Sequence, residues 1–298
     1  QPRHRGVCGE NAMHRRGLLR FIARLDIKGS KVVKGIHLEG LRVVGDPREL
    51  AKRYADEGAD EIFYNDCVAS LYGRNQLTEL LDRTTREVFV PVTVGGGIKS
   101  REDVQRLLGA GADSVAINTA AIRNPQLVKD LANYYGSQAI VVSIEAKRNG
   151  PKTWEAYTDN GREKTGRDAL EWAKEAVSLG AGEVLITSID QDGTQRGADL
   201  ELIKAIGDLS VPVVYGGGIG SMQHVADAIS AGADAVAMGA ALHYKKIGFA
   251  ELMEWTKKRI IMMMIRVKMS PNTRTLSSNC ATPPNASLVS IFVTNATL

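Results

Sequence analysis

From Phe21 to Met238 the chain alternates between two hydrophobic rhythms. Short runs rich in Val, Ile and Ala stand apart as strand candidates: Phe21–Ile27, Glu61–Asp66, Val90–Val94, Ser114–Ile117, Ala139–Ile144, Glu183–Ser188, Pro212–Tyr215 and Ala235–Met238. Between them, apolar residues recur every three or four positions, as in Pro47–Glu57, Ser100–Leu108, Asn124–Tyr135, Arg167–Leu179 and Ser221–Ser230, which is the period of an amphipathic helix. Strands alternating with helices of this length predict parallel βα units, eight of each. A GAD or GAG triplet (Gly58, Gly111, Gly180, Gly232) precedes four of the strands, where glycine is expected just past a helix end.

The pattern also repeats as a whole. Pro91–Pro125, PVTVGGGIKSREDVQRLLGAGADSVAINTAAIRNP, returns 121 residues later as PVVYGGGIGSMQHVADAISAGADAVAMGAALHYKK. LDIKG at Leu25 corresponds to IEAKR at Ile144, and GADEIFY at Gly58 to GAGEVLI at Gly180. A doubly wound open sheet would also alternate strands and helices, but halves that repeat in register predict an eight-stranded (β/α)8 barrel made of two half-barrels. Residues 20–258 span 239 positions, close to the roughly 250 typical of that fold.

Composition changes this picture only at the ends. The net charge of the 298 residues is +4, yet Gln1–Leu19 carries four Arg and one Glu, and Arg259–Leu298 three Arg, one Lys and no acid, leaving the central region at −3. A basic excess confined to the ends gives no reason to expect nucleic acid or membrane binding. Residues 1–19 have no apolar stretch of signal-peptide type, and Met13 is a candidate start; residues 259–298, rich in Ser, Thr, Asn and Pro, are expected to be disordered. Their NAS and NAT triplets match a glycosylation pattern to which we attach no function. The longest apolar stretch, near Ile260–Ile265, is far short of the roughly 20 residues that cross a membrane. Cys8, Cys67 and Cys280 form neither a disulfide framework nor a metal spacing, which favours a cytoplasmic location.

In a barrel of this type the chemistry sits at the carboxyl ends of the strands. Asp26 and Glu145 hold equivalent places there, on the first and fifth strands, and suit a general acid and general base facing each other across the mouth. Each acid could equally cap a loop or pair with Lys28 or Lys147. Gly95–Gly97 and Gly216–Gly218 let backbone N–H groups approach an anion ahead of helices at Ser100 and Ser221, and small residues follow about 20 positions later at Asn118, Thr119 and Gly239. Two such loops predict a ligand with two phosphates. Neither is a dinucleotide fingerprint. The loop Asp190–Gly197 lacks the final bidentate Glu of a calcium loop, so no metal is expected.

These motifs, taken together with VVKG, GDPRELAKRYADEGADE, INTAA, YGSQ, EAYTDNGREKTG and GAGEVLITSIDQDGT, resemble the cyclase subunit of imidazole glycerol phosphate synthase from about Arg20 to about Lys257. The resemblance implies a barrel that forms a heterodimer with a glutaminase subunit and receives ammonia from it. It implies a lyase acting on a bisphosphorylated phosphoribulosyl aminoimidazole carboxamide nucleotide, yielding imidazole glycerol phosphate and an aminoimidazole carboxamide ribotide in histidine biosynthesis, with no metal or organic cofactor. Matched residue by residue, Asp26, Glu145 and Asp192 fall on the active-site acids. Lys34 is the loop lysine near a phosphate; Gly96, Gly97, Asn118 and Thr119 form one phosphate site, and Gly217, Gly218 and Gly239 the other. Arg20, Glu61 and Glu183 match a charged ring where ammonia enters.

Several departures gather at the two ends of the barrel. Glu145 replaces an Asp, Ser114 stands where the ring has a lysine, and Gly216 and Ala240 replace serines of the second phosphate site. Together with KGIHLEGLR, SIEAK and the segment Asp66–Arg74, they also resemble a paralogous branch that serves acetamidino modification of a surface polysaccharide with its own glutaminase and a sugar amidotransferase. A non-catalytic ammonia conduit that activates a glutaminase is a third reading. The sister isomerase of histidine synthesis shares the doubled glycine loops but not SIDQDGT or the charged ring.

Overall fold

A computed structural model describes residues 19–68, 77–207 and 209–258. Two compact units divide at Met253; of the second, 254–258 are described and are helical. The candidate start at Met13, Cys8, Cys280, the acceptor triplets at Asn285 and Asn295, and Ala69–Arg74 lie outside the described residues.

Eight parallel strands make the barrel: β1 (Arg20–Lys28), β4 (Glu61–Asp66), β5 (Val92–Gly95), β6 (Ser114–Ile117), β7 (Ile140–Gly150), β10 (Glu183–Ser188), β11 (Val213–Gly216) and β12 (Ala235–Met238). They pair in the order β10, β11, β12, β1, β4, β5, β6, β7, and the pairing of β7 with β10 closes the circle. Helices α1 (Pro47–Asp56), α2 (Leu77–Thr84), α3 (Arg101–Gly109), α5 (Gln126–Tyr135), α6 (Ala169–Ser178), α7 (Leu200–Ile206) and α8 (Met222–Ala231) run between strands. Each buries an apolar stripe, Leu50, Ala51 and Tyr54 on α1 or Trp172, Ala173 and Ala176 on α6. The expected helix-end glycines Gly58, Gly111, Gly180 and Gly232 take φ of +101°, +106°, +105° and +124°, a region open to glycine but costly for other residues.

Sequence periodicity did not reveal four further strands. β2 (Lys31–Ile36) and β3 (Glu39–Gly45) form an antiparallel hairpin continuing from β1; β8 (Thr153–Thr158) and β9 (Glu163–Asp168) do the same from β7. β3 and β9 lie outside the barrel with every residue at least partly exposed, so no buried face imposes an apolar alternation on them. The hairpins sit at equivalent points of the two halves, which confirms the duplication. Two short helices, α4 (Thr119–Arg123) and α9 (Ala240–His243), likewise follow β6 and β12.

Side chains alternate along each barrel strand. Ile22, Phe63, Ala116, Val141, Leu185, Val214, Ala235 and Ala237 form one buried cluster inside the barrel. That parity places Arg20, Arg24 and Asp26 of β1 on the same inward face, with Asn65 of β4 and Glu145 of β7. The interior is therefore layered: charged at the amino ends, apolar in the middle, charged again at the carboxyl ends.

Closure of the barrel depends on a close approach beside β10. Gly182 donates its N–H to Ile140 O at 3.0 Å, and a Cβ on it would lie 2.1 Å from Ser137 O. Gly182→Ala should therefore lower stability by about 1–3 kcal/mol through overpacking. Gly109→Ala, at a helical position with no heavy atom within 4 Å of its would-be Cβ, should raise it by about 0.5–1 kcal/mol. Urea unfolding of both variants tests the pair; equal effects of either sign would contradict this closure geometry.

Candidate active site

The carboxyl-end mouth is built around three acids and two cations that the fold buries together. Asp26 and Lys34 come from β1 and β2, and Asp192 from the loop after β10. The Lys34 ammonium donates to Asp26 Oδ2 at 2.9 Å and to both Asp192 oxygens at 3.0 and 2.9 Å. Arg24, two residues before Asp26 and therefore on the same face of β1, donates from Nε to Asp26 Oδ1 at 2.9 Å and from Nη1 to Thr187 Oγ1 at 2.8 Å. Asn65, paired in register with Asp26, adds a third donor at 3.0 Å.

Burial opposes ionisation of Asp26, but Arg24 and Lys34, with the Asn65 hydrogen bond, outweigh it and hold the carboxyl well below the usual carboxylate range. Burial likewise opposes the charge on Lys34, and Asp192 and Asp26 overcome it, raising the ammonium above its ordinary value. Glu145 is different. Burial pushes its carboxyl up to about 7, against Arg24 and the Gly161 N–H, which Glu145 Oε2 accepts at 2.7 Å; the Asp26 and Asp192 charges push the same way as burial. The equivalent strand-end acids of the two halves thus sit in opposite protonation regimes.

Neither acid pairs with Lys28 or Lys147, the neighbours that spacing suggests. Asp26 is bound by Arg24 and Lys34, and Lys147 instead lies over the Tyr157 ring at 5.6 Å. The glycine-loop expectation needs a second correction. The long helices at Ser100 and Ser221 close their own first turns: Ser100 Oγ accepts Asp103 N–H and the Asp103 carboxylate accepts Ser100 N–H, while Ser221 Oγ accepts His224 N–H. The helix starts facing the mouth are the short α4 and α9, which carry no side-chain cap.

Two cavities flank the acids. One of about 310 Å³ is lined by Gly96, Gly97, Asn118, Thr119, Glu145 and Asn160. The other, only about 20 Å³, is lined by Arg24, Lys34, Asp192, Gly217, Gly218 and Gly239. The structure brings all eight expected phosphate residues onto these two cavities. Asn118 and Thr119 are also tied to the second hairpin: Asn118 Nδ2 donates to Tyr157 O at 3.2 Å, and Thr119 Oγ1 accepts Asp159 N–H at 3.1 Å. At the hairpin tip, Asp159, Asn160 and Gly161 take φ of +54°, +58° and +75°, a sharp turn that presents the Gly161 N–H to Glu145.

At the opposite end, Arg20 bridges the second and sixth barrel strands, pairing with Glu61 at 2.8 Å and with Glu183. Thr93 Oγ1 donates to Glu61 at 2.6 Å and shares a 2.6 Å contact with Ser114 Oγ, so hydroxyls complete the ring on that side. Burial raises the Glu61 and Glu183 carboxyls, with Arg20 opposing it at both.

Arg24, Asn65, Thr187 and the Gly161 amide are functional candidates that sequence reasoning passed over. One signal for Arg24 was present: in RFIARLDIK it is the only charge between the strand's first residue and Asp26, at an alternation position shared with that acid.

The sequence profile described as "Histidine biosynthesis protein" matches residues 20–248, and so covers the whole barrel sheet. A curated relative from Legionella pneumophila, "Imidazole glycerol phosphate synthase subunit HisF", is 56% identical over 206 residues, 69% of this chain and 97% of that protein. On both grounds, and on a barrel built as the repeated motifs required, the chain belongs to the histidine biosynthesis protein family.

Proposed function

We propose that this chain is the ammonia-using cyclase subunit of an imidazole glycerol phosphate synthase, a lyase of histidine biosynthesis. What carries the reading is the mouth: two unequal carboxyls between two glycine-loop cavities, in a chain 56% identical to a cyclase subunit over nearly all of that subunit's length. The substrate is a bisphosphorylated phosphoribulosyl aminoimidazole carboxamide nucleotide, with one phosphate in each cavity and the ribulosyl carbons spanning Asp26 and Glu145.

The two acids divide the work. Ammonia adding to a carbonyl carbon leaves a positively charged nitrogen until a proton departs, and Asp26, ionised and fixed by three donors, is placed to stabilise that charge. Ring closure and bond cleavage require a group that both gives and takes protons near neutrality. Glu145, raised to about 7, has the matched value. Asp192 holds Lys34 beside the smaller cavity. A glutaminase docks on the opposite face, where Arg20, Glu61 and Glu183 form the ring through which ammonia passes. The paralogous reading, with a sugar amidotransferase as further partner, rests on Glu145 standing in place of an aspartate.

Three outcomes are expected. With free ammonium as nitrogen donor, Asp26→Asn and Glu145→Gln should each lower kcat by about 10²–10⁴-fold while sparing substrate binding. Normal turnover by both would leave the conduit reading in place, and a gain of cyclase activity in Glu145→Asp would favour the paralogue.

The second outcome concerns stability. A carboxyl raised in the fold stabilises it while protonated, so Glu145 contributes below its unfolded value and loses that contribution as pH rises through about 7. Its share should fall by about 1–2 kcal/mol between pH 6 and 9, and Glu145→Gln should remove that slope from the unfolding free energy. An unchanged slope would contradict the assignment. The third is that Glu61→Lys, which puts a second cation beside Arg20, should weaken co-purification with the glutaminase subunit and leave the far-UV spectrum intact. An undiminished complex would move the docking face elsewhere.

A further inference from the structure

As it stands, the smaller cavity must widen to admit the phosphate proposed for it. A volume of about 20 Å³ holds roughly one water, and a phosphate has four oxygens. Lys34 lines this space with its ammonium held on Asp26 and Asp192. An entering phosphate therefore competes with Asp26 and Asp192 for Lys34, because one ammonium has three N–H donors and all three already face carboxylate oxygens. Asp26 then depends on what remains.

What remains is the Asn65 amide and one cation, Arg24. Arg24 is 4% exposed, and its guanidinium stands 5.8 Å from the centre of the Phe63 ring, pinned at two points, Nε on Asp26 and Nη1 on Thr187. Unlike Lys34, which reaches in from the hairpin strand β2, Arg24 springs from the barrel wall itself. Gly216 leaves room beside it: a Cβ there would lie 3.7 Å from Arg24 Nη1 and 3.3 Å from Thr187 Oγ1. We propose that Arg24 is the positioning residue of this site, the fixed cation that keeps Asp26 oriented and ionised while substrate phosphate competes for Lys34. The proposal rests on the cyclase reading above and adds a residue to it.

The same guanidinium acts on Glu145. The charged or titratable groups around that carboxyl are Arg24 and Asp26 of β1, Asp192 after β10, and Asp66, Cys67, Lys99 and Arg123 on the wall of the larger cavity, with the Gly161 N–H above it. Arg24 is the leading charge that counteracts burial at Glu145. Removing it raises the proton affinity of Asp26 and Glu145 together, so the pH dependence of turnover moves to higher pH. A residue that merely filled space would leave the profile in place.

Arg24→Met and Arg24→Lys test this with the full-length chain and free ammonium. Arg24→Met should lower kcat by about 10²–10³-fold, as loss of a preorganised donor does, with KM unchanged and the kcat/KM profile displaced to higher pH. Arg24→Lys keeps the charge but not the fork; it should recover part of kcat and return the profile toward wild type. The proposal is overturned by an unshifted profile in Arg24→Met, by a loss confined to KM, or by Arg24→Lys matching either Arg24→Met or the wild type in kcat. Should Arg24→Met not fold, Arg24→Lys against the wild type decides alone. Failure of the cyclase reading shows separately, as absence of turnover in the wild type. In that case, isotope-edited infrared titration of the Asp26 carboxyl decides on Arg24: protonation at higher pH in Arg24→Met supports the role, and an unchanged titration overturns it.

Discussion

A single buried ammonium holds the mouth of this barrel together. Lys34 donates to Asp26 and to both oxygens of Asp192, joining the first hairpin, the first barrel strand and the loop after the sixth. Without it, two carboxylates would face each other out of water, a state that costs several kcal/mol when one partner of a buried pair is lost. The hairpin also packs through Val32, Val33 and Leu38, whereas β3 has no fully buried residue. The ammonium that joins these elements is also the group for which the proposed phosphate would compete.

Duplication explains why the two strand-end acids stand alike, and divergence why they differ. Asp26 and Glu145 occupy the same place in the two halves, each at the end of a strand that continues into an antiparallel hairpin. The halves have diverged in what surrounds that place. Around Asp26 lie a guanidinium, an ammonium and a side-chain amide; Glu145 accepts one backbone N–H. The symmetry of the backbone sets where the carboxyls stand, and the asymmetry of their neighbours sets which one carries protons at neutral pH.

The barrel was legible because its strands and helices obey buried periodicities. Glu61–Asp66, Ser114–Ile117, Glu183–Ser188 and Ala235–Met238 form with the bounds that apolar runs suggest. The hairpins were hidden for the opposite reason: β9, Glu163–Asp168, is polar throughout and at least partly exposed. In the site, the repeat alone pointed to Asp26, Glu145 and the glycine loops, and the resemblance added Lys34 and Asp192. The partners were not legible, since Lys34 bridges acids 8 and 158 positions away and Glu145 is met by an amide 16 positions on. Spacing suggested Lys28 and Lys147, which alternation puts on the same face as their acids, but both lie where β1 and β7 have run past the barrel into their hairpins, opposite Lys31 and Glu155. Arg24 was within reach of strand alternation, which puts it on the face of Asp26 two residues on.

The most direct measurement is a titration of the side-chain carboxyl carbons of the wild-type protein, followed by NMR from pH 9 downward. Glu145 should show a midpoint near 7 while Asp26 stays ionised until the fold itself is lost. A Glu145 midpoint near its ordinary 4.5, or an Asp26 titration inside the folded range near 3.8, would contradict the division of roles between the two acids.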